Sequence, residues 1–168
     1  ITGKPLGGGG SEARTEATGF GVCINIREAM KHLGIDPTKT KAALQGFGNV
    51  GQYVALGYGK YVGGIVVCVS CWDRDDKKSY TFYKEDGIDA EFLKSITDQY
   101  GTIDKAKAQA AGYVIEDGNA WLGKDVDVVV PAALEGQITG ETVHQIHANV
   151  KMVAEAANGP TTPEADKV

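Results

Sequence analysis

The chain has 168 residues, enough for one domain with a sizeable core, and is 42% hydrophobic and 23% charged, an ordinary globular composition. A formal net charge of −5 with no long basic cluster argues against a general affinity for nucleic acid or anionic membrane, and no apolar run approaches the roughly 20 residues of a membrane span. Three cysteines, an odd number, make no disulfide framework and fit a reducing, cytoplasmic setting.

In chain order, the opening Ile1-Thr-Gly-Lys-Pro5 has no initiator Met and no signal-peptide character. Together with the abrupt end at Val168, it suggests a domain cut from a longer protein. Leu6-Gly-Gly-Gly-Gly-Ser11 reads as a flexible entry loop or an engineered linker. Residues 15–33 are predicted helical, because Val22, Ile26, Ala29, Met30 and Leu33 recur at three- and four-residue spacing and Gly34 supplies a stop. A strand over 41–45 runs into Gly46-Phe47-Gly48-Asn49-Val50-Gly51. The helix that follows, from about Val50 to Tyr61, is poor on propensity, since Gly57 and Gly59 each cost about 1 kcal/mol against Ala.

A second strand spans 65–72, and alternation over Ser79–Tyr83 with the turn Glu85-Asp-Gly87 predicts a small hairpin. Residues 89–99 are helix-like, Lys105–Ala111 is undecided between states, and Tyr113–Ile115 reads as a short strand. Asp125–Val130 has the composition of a buried parallel strand stopped by Pro131. A helix over 139–147 and a strand over 151–155 follow, then a helix start with Thr162 at the N-cap and Pro163 at N1. This alternation predicts an α/β domain: a doubly wound, mostly parallel, Rossmann-like sheet with helices on both faces. Residues 1–34 would form the entry loop and leading helix, and 41–168 the core of a single dinucleotide-binding domain.

The chemistry lies in the glycine turn. In G-x-G-x-x-G between strand and helix, Gly46 allows the tight turn, Gly48 lets backbone approach a pyrophosphate, and Gly51 lets the helix pack close to the sheet. The helix start then offers free N–H groups and its dipole to the phosphates. Ligands of such sheets bind at the carboxyl ends of the strands, here the loops Gly46–Gly51, Ser70–Arg74, Pro131–Glu135 and Ala156–Thr161. Two other spacings attract notice and carry less. Cys68-Val-Ser-Cys71 lies in a strand, where residues three apart point to opposite faces, and no second ligand pair accompanies it. His144 and His147, with Glu141 a turn earlier, read better as a solvated helix face than as a metal site.

Several motifs, in order along the chain, carry a family resemblance. They are Lys4-Pro5, Gly9-Gly10-Ser11, Arg14-Thr-Glu-Ala-Thr18-Gly19, Gln45–Gly51, Asp86-Gly-Ile-Asp89, Pro131-Ala-Ala-Leu-Glu135 and Glu155–Asp166. Together they resemble the cofactor-binding domain of glutamate dehydrogenase. Leucine and phenylalanine dehydrogenases resemble the chain less well, carrying a Gly-Asp-Pro-Ser type of segment where Arg14-Thr15-Glu16 stands here. The resemblance implies an NAD(P)-linked conversion of L-glutamate to 2-oxoglutarate and ammonia in a parent enzyme, reversible and typically hexameric. It further implies that Thr18 contacts the nicotinamide amide, with Arg14 shaping the same pocket. Asn49 and Val50 would serve the phosphate turn, Ala132 and Ala133 would line the groove, and Asn158 would reach the nicotinamide-side ribose. The plainer alternatives are that Asn49 caps its helix, Thr18 is an intrahelical polar residue and Asn158 holds a turn. The family's catalytic lysine and aspartate belong to a preceding substrate domain, and neither motif occurs here. Cofactor binding without turnover is therefore expected, from a monomer or weak dimer.

Selectivity between NAD and NADP rests on Cys71, Trp72, Asp73 and Arg74. The position twenty residues beyond Gly51, where an acidic residue would accept the ribose 2′-OH, is Cys71. Asp73 could take that hydroxyl, and Arg74, helped by Lys77 and Lys78, a 2′-phosphate; a solvent-exposed Asp73–Arg74 pair with no ligand role is the third reading. NAD is favoured because no basic residue precedes Arg74 at the strand end, with NADP or dual use as the alternative. A non-catalytic dinucleotide sensor and an engineered cofactor domain are the competing functions.

Overall fold

In the computed structural model, which describes residues 4–168, ten regular elements alternate. They are α1 (Arg14–His32), β1 (Lys41–Gln45), α2 (Asn49–Gly57), β2 (Ile65–Asp73), β3 (Lys78–Tyr83), α3 (Ala90–Ser95), α4 (Lys105–Ala110), β4 (Val114–Asp117), β5 (Val128–Pro131) and β6 (Met152–Val153). The strands form one sheet in the order β4-β3-β2-β1-β5-β6. The run β2-β1-β5-β6 is parallel, and β3 and β4 add an antiparallel flank, so the expected mostly parallel α/β sheet is present.

One core lies on each side of the sheet. On the first, Ala42, Leu44, Val69, Val128 and Val130 pack against Cys23, Ile26 and Met30 of α1 and Val54 of α2, and Leu93 and Ala108 bring α3 and α4 to the same side. On the second, Ala43, Val67, Cys68 and Val129 meet Trp121, Leu122, Val126, Ile138 and Ala165. This second cover is irregular chain with short 3-10 turns at Val143–Gln145 and Ala165–Lys167 rather than long helices. A bulge in β2 sets the faces: Ala42 pairs with Val66 but Ala43 with Cys68, so Val67 is the extra residue. Beyond the bulge the strand is regular, so Cys68 and Cys71, three residues apart, point into opposite cores, which dismisses the C-x-x-C as a paired site.

The helix expected over 139–147 contracts to the turn at Val143–Gln145. The Thr139 N–H donates to Thr142 Oγ1 at 2.8 Å and the Thr142 N–H to Thr139 Oγ1 at 3.2 Å, a side-chain turn that competes with the helical ladder. Beyond it the His147 N–H is diverted to the Leu122 carbonyl at 3.0 Å. α3 is shorter than the predicted 89–99, and the undecided Lys105–Ala111 stretch is helical up to Ala110. β5 begins at Val128 rather than at 125, with Asp127 Oδ2 accepting the Lys41 N–H at 2.9 Å. β6 contracts to two residues, and α2 gives way to a π-helical turn over Tyr58–Val62.

Candidate functional site

β1 delivers the chain to Gly46 at φ +96°, where a Cβ would lie 2.9 Å from the Ala132 carbonyl oxygen and 2.9 Å from the Ala133 Cβ. The turn and the Ala132-Ala133 wall thus touch directly. Gly51 is equally constrained, since a Cβ there would stand 2.0 Å from the Gly46 oxygen. Between them Gly48 caps α2, with nothing within 4 Å of its Cβ position, so the middle of the loop is open. The first-turn N–H groups of α2 have no helical acceptors, as at any helix start. Phe47 turns inward and is 2% exposed, contributing to the core with its side chain and to the loop with its backbone.

The cleft beside this turn has a volume of about 780 Å³. Of the residues expected from sequence, Arg14, Thr18, Val50, Ala132, Ala133 and Asn158 all line it. It opens at the carboxyl ends of β1, β5 and β6, with the N-terminal turns of α1 as one wall. Arg14 Nη1 donates to Thr18 Oγ1 across one helical turn at 3.5 Å. Among the described lining residues Arg14 is the basic one, and Glu135 and Glu155 are acidic. Val22, Leu134, Glu135, Glu155, Ala156 and Ala157 complete the lining; in the sequence Val22 stands out only for its helical spacing, and the others only as members of strand-end loops or of the family motifs.

Asn49 neither caps α2 nor projects freely. Its Nδ2 donates to the Thr15 carbonyl at 2.7 Å, tying the start of α2 to the first turn of α1 and so fixing the two walls relative to each other.

The end of β2 differs from its sequence reading. Cys71 is 5% exposed and faces the first core, where burial pushes its thiol up to about 11. Trp72 is exposed on the other side. Asp73, expected at the surface, is 4% exposed: its Oδ1 accepts the N–H groups of Asp75 at 2.9 Å and Asp76 at 3.0 Å, and its Oδ2 accepts from the Lys105 ammonium. These N–H groups, that of Asp76 foremost, and Lys105 hold the carboxyl below the usual aspartate range. Arg74 does not pair with it; the guanidinium lies over the Tyr100 ring, 4.3 Å from its centroid. Lys105 is the residue that sequence reasoning missed, because the stretch containing it had no assigned structure. Asp104, whose carboxylate accepts the Lys107 N–H at 3.0 Å as N-cap, was the available signal.

A mostly parallel sheet with a glycine turn leading into a cleft at the strand ends defines a Rossmann-like α/β domain. The chain belongs to the Glutamate/Leucine/Phenylalanine/Valine dehydrogenase family, whose profile matches residues 9–168. It is 46% identical over 168 residues to the NAD-specific glutamate dehydrogenase of Clostridioides difficile, covering 100% of this chain and 38% of that protein. With the glutamate dehydrogenase of Thermotoga maritima the identity is 45%, with the same coverage of 100% and 38%. The crystal structure of glutamate dehydrogenase from Peptoniphilus asaccharolyticus superposes with a TM-score of 0.75 at 43% identity, over 99% of this chain and 35% of that one. A hetero-hexameric glutamate dehydrogenase from Thermus thermophilus gives a TM-score of 0.77 at 29% identity, over 99% and 36%. The chain therefore spans less than two-fifths of the length of these relatives. No described helix is long and apolar enough to cross a membrane.

Proposed function

We propose that this chain is the cofactor-binding domain of an NAD-linked glutamate dehydrogenase, binding dinucleotide without turning over glutamate by itself. The observation that carries this reading is the junction of the open Gly46–Gly51 turn with a cleft lined by Arg14, Thr18, Ala132, Ala133 and Asn158. In a member of this family, that junction has the form and chemistry a dinucleotide needs.

The residues present fit the cofactor. Backbone N–H groups at the start of α2 would hold the pyrophosphate over Gly48, where a side chain would otherwise stand. Thr18 and Arg14 would orient the nicotinamide end, Ala132 and Ala133 would form a dry wall, and Asn158 would hydrogen-bond a ribose. The bound nicotinamide would supply the hydride acceptor or donor for oxidation and reduction at the substrate α-carbon. Glutamate recognition and the acid–base step are assigned to the rest of the parent protein, since no lysine or aspartate lines the described cleft. NAD is the preferred cofactor on the strength of relatives named NAD-specific. We assign the parent a hexameric assembly, as in the Thermus relative, and the chain alone a monomeric or weakly dimeric state.

Calorimetric titration with NAD⁺ and NADP⁺, on this chain and on Gly48→Val, tests the reading. A Cβ there meets open space in the protein, so the variant should stay folded, at a cost of about 1 kcal/mol for valine at the N-cap, while losing at least about tenfold in affinity. A wild-type chain that binds neither dinucleotide overturns the proposal.

A further inference from the structure

Resting on that reading, we propose that Lys105 sets which dinucleotide the cleft accepts, by neutralising Asp73 and keeping its carboxylate turned into the loop between β2 and β3. Three observations tie the segments that carry this pair to the glycine turn. The Gly46 N–H donates to the Ser70 carbonyl at 2.7 Å, joining the turn to the end of β2. Gly101, four residues before Lys105, approaches the same turn: a Cβ there would lie 3.9 Å from the Phe47 oxygen. Arg74, at the end of β2, stacks on Tyr100 beside it.

An unpaired acid at this end of β2 would accept the ribose 2′-OH and repel a 2′-phosphate. Here position 71 offers a buried thiol, and the oxygens of Asp73 are committed to two backbone N–H groups and Lys105. Lys105 reaches a second carboxylate as well, bonding Asp76 Oδ2 at 2.7 Å, and its ammonium lies 4.3 Å from the Tyr80 ring centroid. The Tyr80 hydroxyl donates to Asp76, which closes the cluster. The rim thus presents Arg74, free of any described carboxylate partner, beside two acids that share one cation. Such a rim tolerates a 2′-phosphate. Removing Lys105 leaves Asp73 and Asp76 uncompensated and turns the rim against it.

The test is titration of the wild-type chain, Lys105→Met, Asp73→Asn and the double variant with NAD⁺ and with NADP⁺, each with a thermal melt. The wild-type affinities are expected within about tenfold of each other; Lys105→Met shifts the ratio toward NAD⁺ by about tenfold or more, through weaker NADP⁺ binding. Adding Asp73→Asn to that variant restores most of the loss, which a packing defect would not do. Asp73→Asn alone, which removes one of the two acids sharing Lys105 while keeping a hydrogen-bonding side chain, moves the ratio the opposite way, toward NADP⁺. That second direction keeps the test decisive even where Lys105→Met melts early. An unchanged ratio in Lys105→Met and Asp73→Asn, or equal weakening of both dinucleotides in each, overturns the inference. A wild-type chain that binds neither dinucleotide overturns the proposed function, and this inference with it.

Discussion

Each of the three thiols is buried where no charged form is welcome. Burial raises Cys23 and Cys68 from 9.0 to about 12 and Cys71 from 9.0 to about 11. Tyr58, whose hydroxyl lies 3.1 Å from Thr40 Oγ1, is raised from 10.0 to about 12, again chiefly by burial. A group with a raised folded pKa stabilises the fold fully below its unfolded pKa, and that contribution is lost as pH rises through the folded value. The chain should therefore be insensitive to pH from neutrality to about pH 9 through these groups, then lose stability steeply between about pH 9 and 12. Urea unfolding at a series of alkaline pH values checks the window, and a thiol reagent checks the cause. All three cysteines should resist modification in the native chain and react on unfolding. A flat alkaline profile, or rapid labelling of native Cys71, would contradict this burial. The same burial bears on cofactor engineering, because a Cys71→Glu change would place a carboxylate in the first core instead of presenting it to a ligand.

Among the elements, α1 and α2 form the walls of the cleft, and their spacing depends on one small residue. A Cβ at Gly19 would lie 2.5 Å from the Tyr53 Cβ and 2.8 Å from its backbone carbon, so the helices cannot stay in place around Ala. Gly21, two residues on in the same helix, has nothing within 4 Å of its Cβ position. Gly19→Ala should then cost about 1–3 kcal/mol by overpacking. Gly21→Ala should gain about 0.5–1 kcal/mol from helix propensity. In melting temperature, a change of one kcal/mol corresponds to about 2–4 °C for a domain of this size. Gly19→Ala should also weaken dinucleotide binding, because Arg14 and Thr18 move with α1 relative to Val50. Melting curves that shift in the same direction for both variants would refute the argument.

Elements whose local signals agree with their packing were legible in the sequence: 41–45 is β1, 65–72 is β2 but for Asp73, and 15–33 is α1 displaced by one residue. Residues 139–147 were not, because helical spacing there yields to threonine hydroxyls that bond the backbone. Within the site, the loops at the strand ends could be read from small residues and position along the chain. The fate of Asp73 could not, since its partner Lys105 is thirty-two residues away, on a helix that composition left undecided.

At the scale of the whole molecule, the proposed function makes the cleft a place to hold a ligand and leaves the work on glutamate to the rest of the parent protein. Its described lining offers one guanidinium, a threonine, an asparagine, two glutamates and small apolar side chains. Hydride transfer requires a second reactant fixed against the nicotinamide and a base matched to its ammonium group. Glu155 Oε1 already accepts the Thr161 N–H at 3.2 Å, which ties that oxygen to its own loop. The chain supplied with NAD⁺ and L-glutamate should therefore show no reduced cofactor above the buffer rate, under conditions where calorimetry shows the dinucleotide bound. Light scattering on the same sample should give a monomer or weak dimer. Glutamate-dependent reduction abolished by Glu135→Gln or Glu155→Gln, with melting unchanged, would instead place the acid–base step in this cleft. It would also withdraw the division of labour between this domain and the rest of the parent protein.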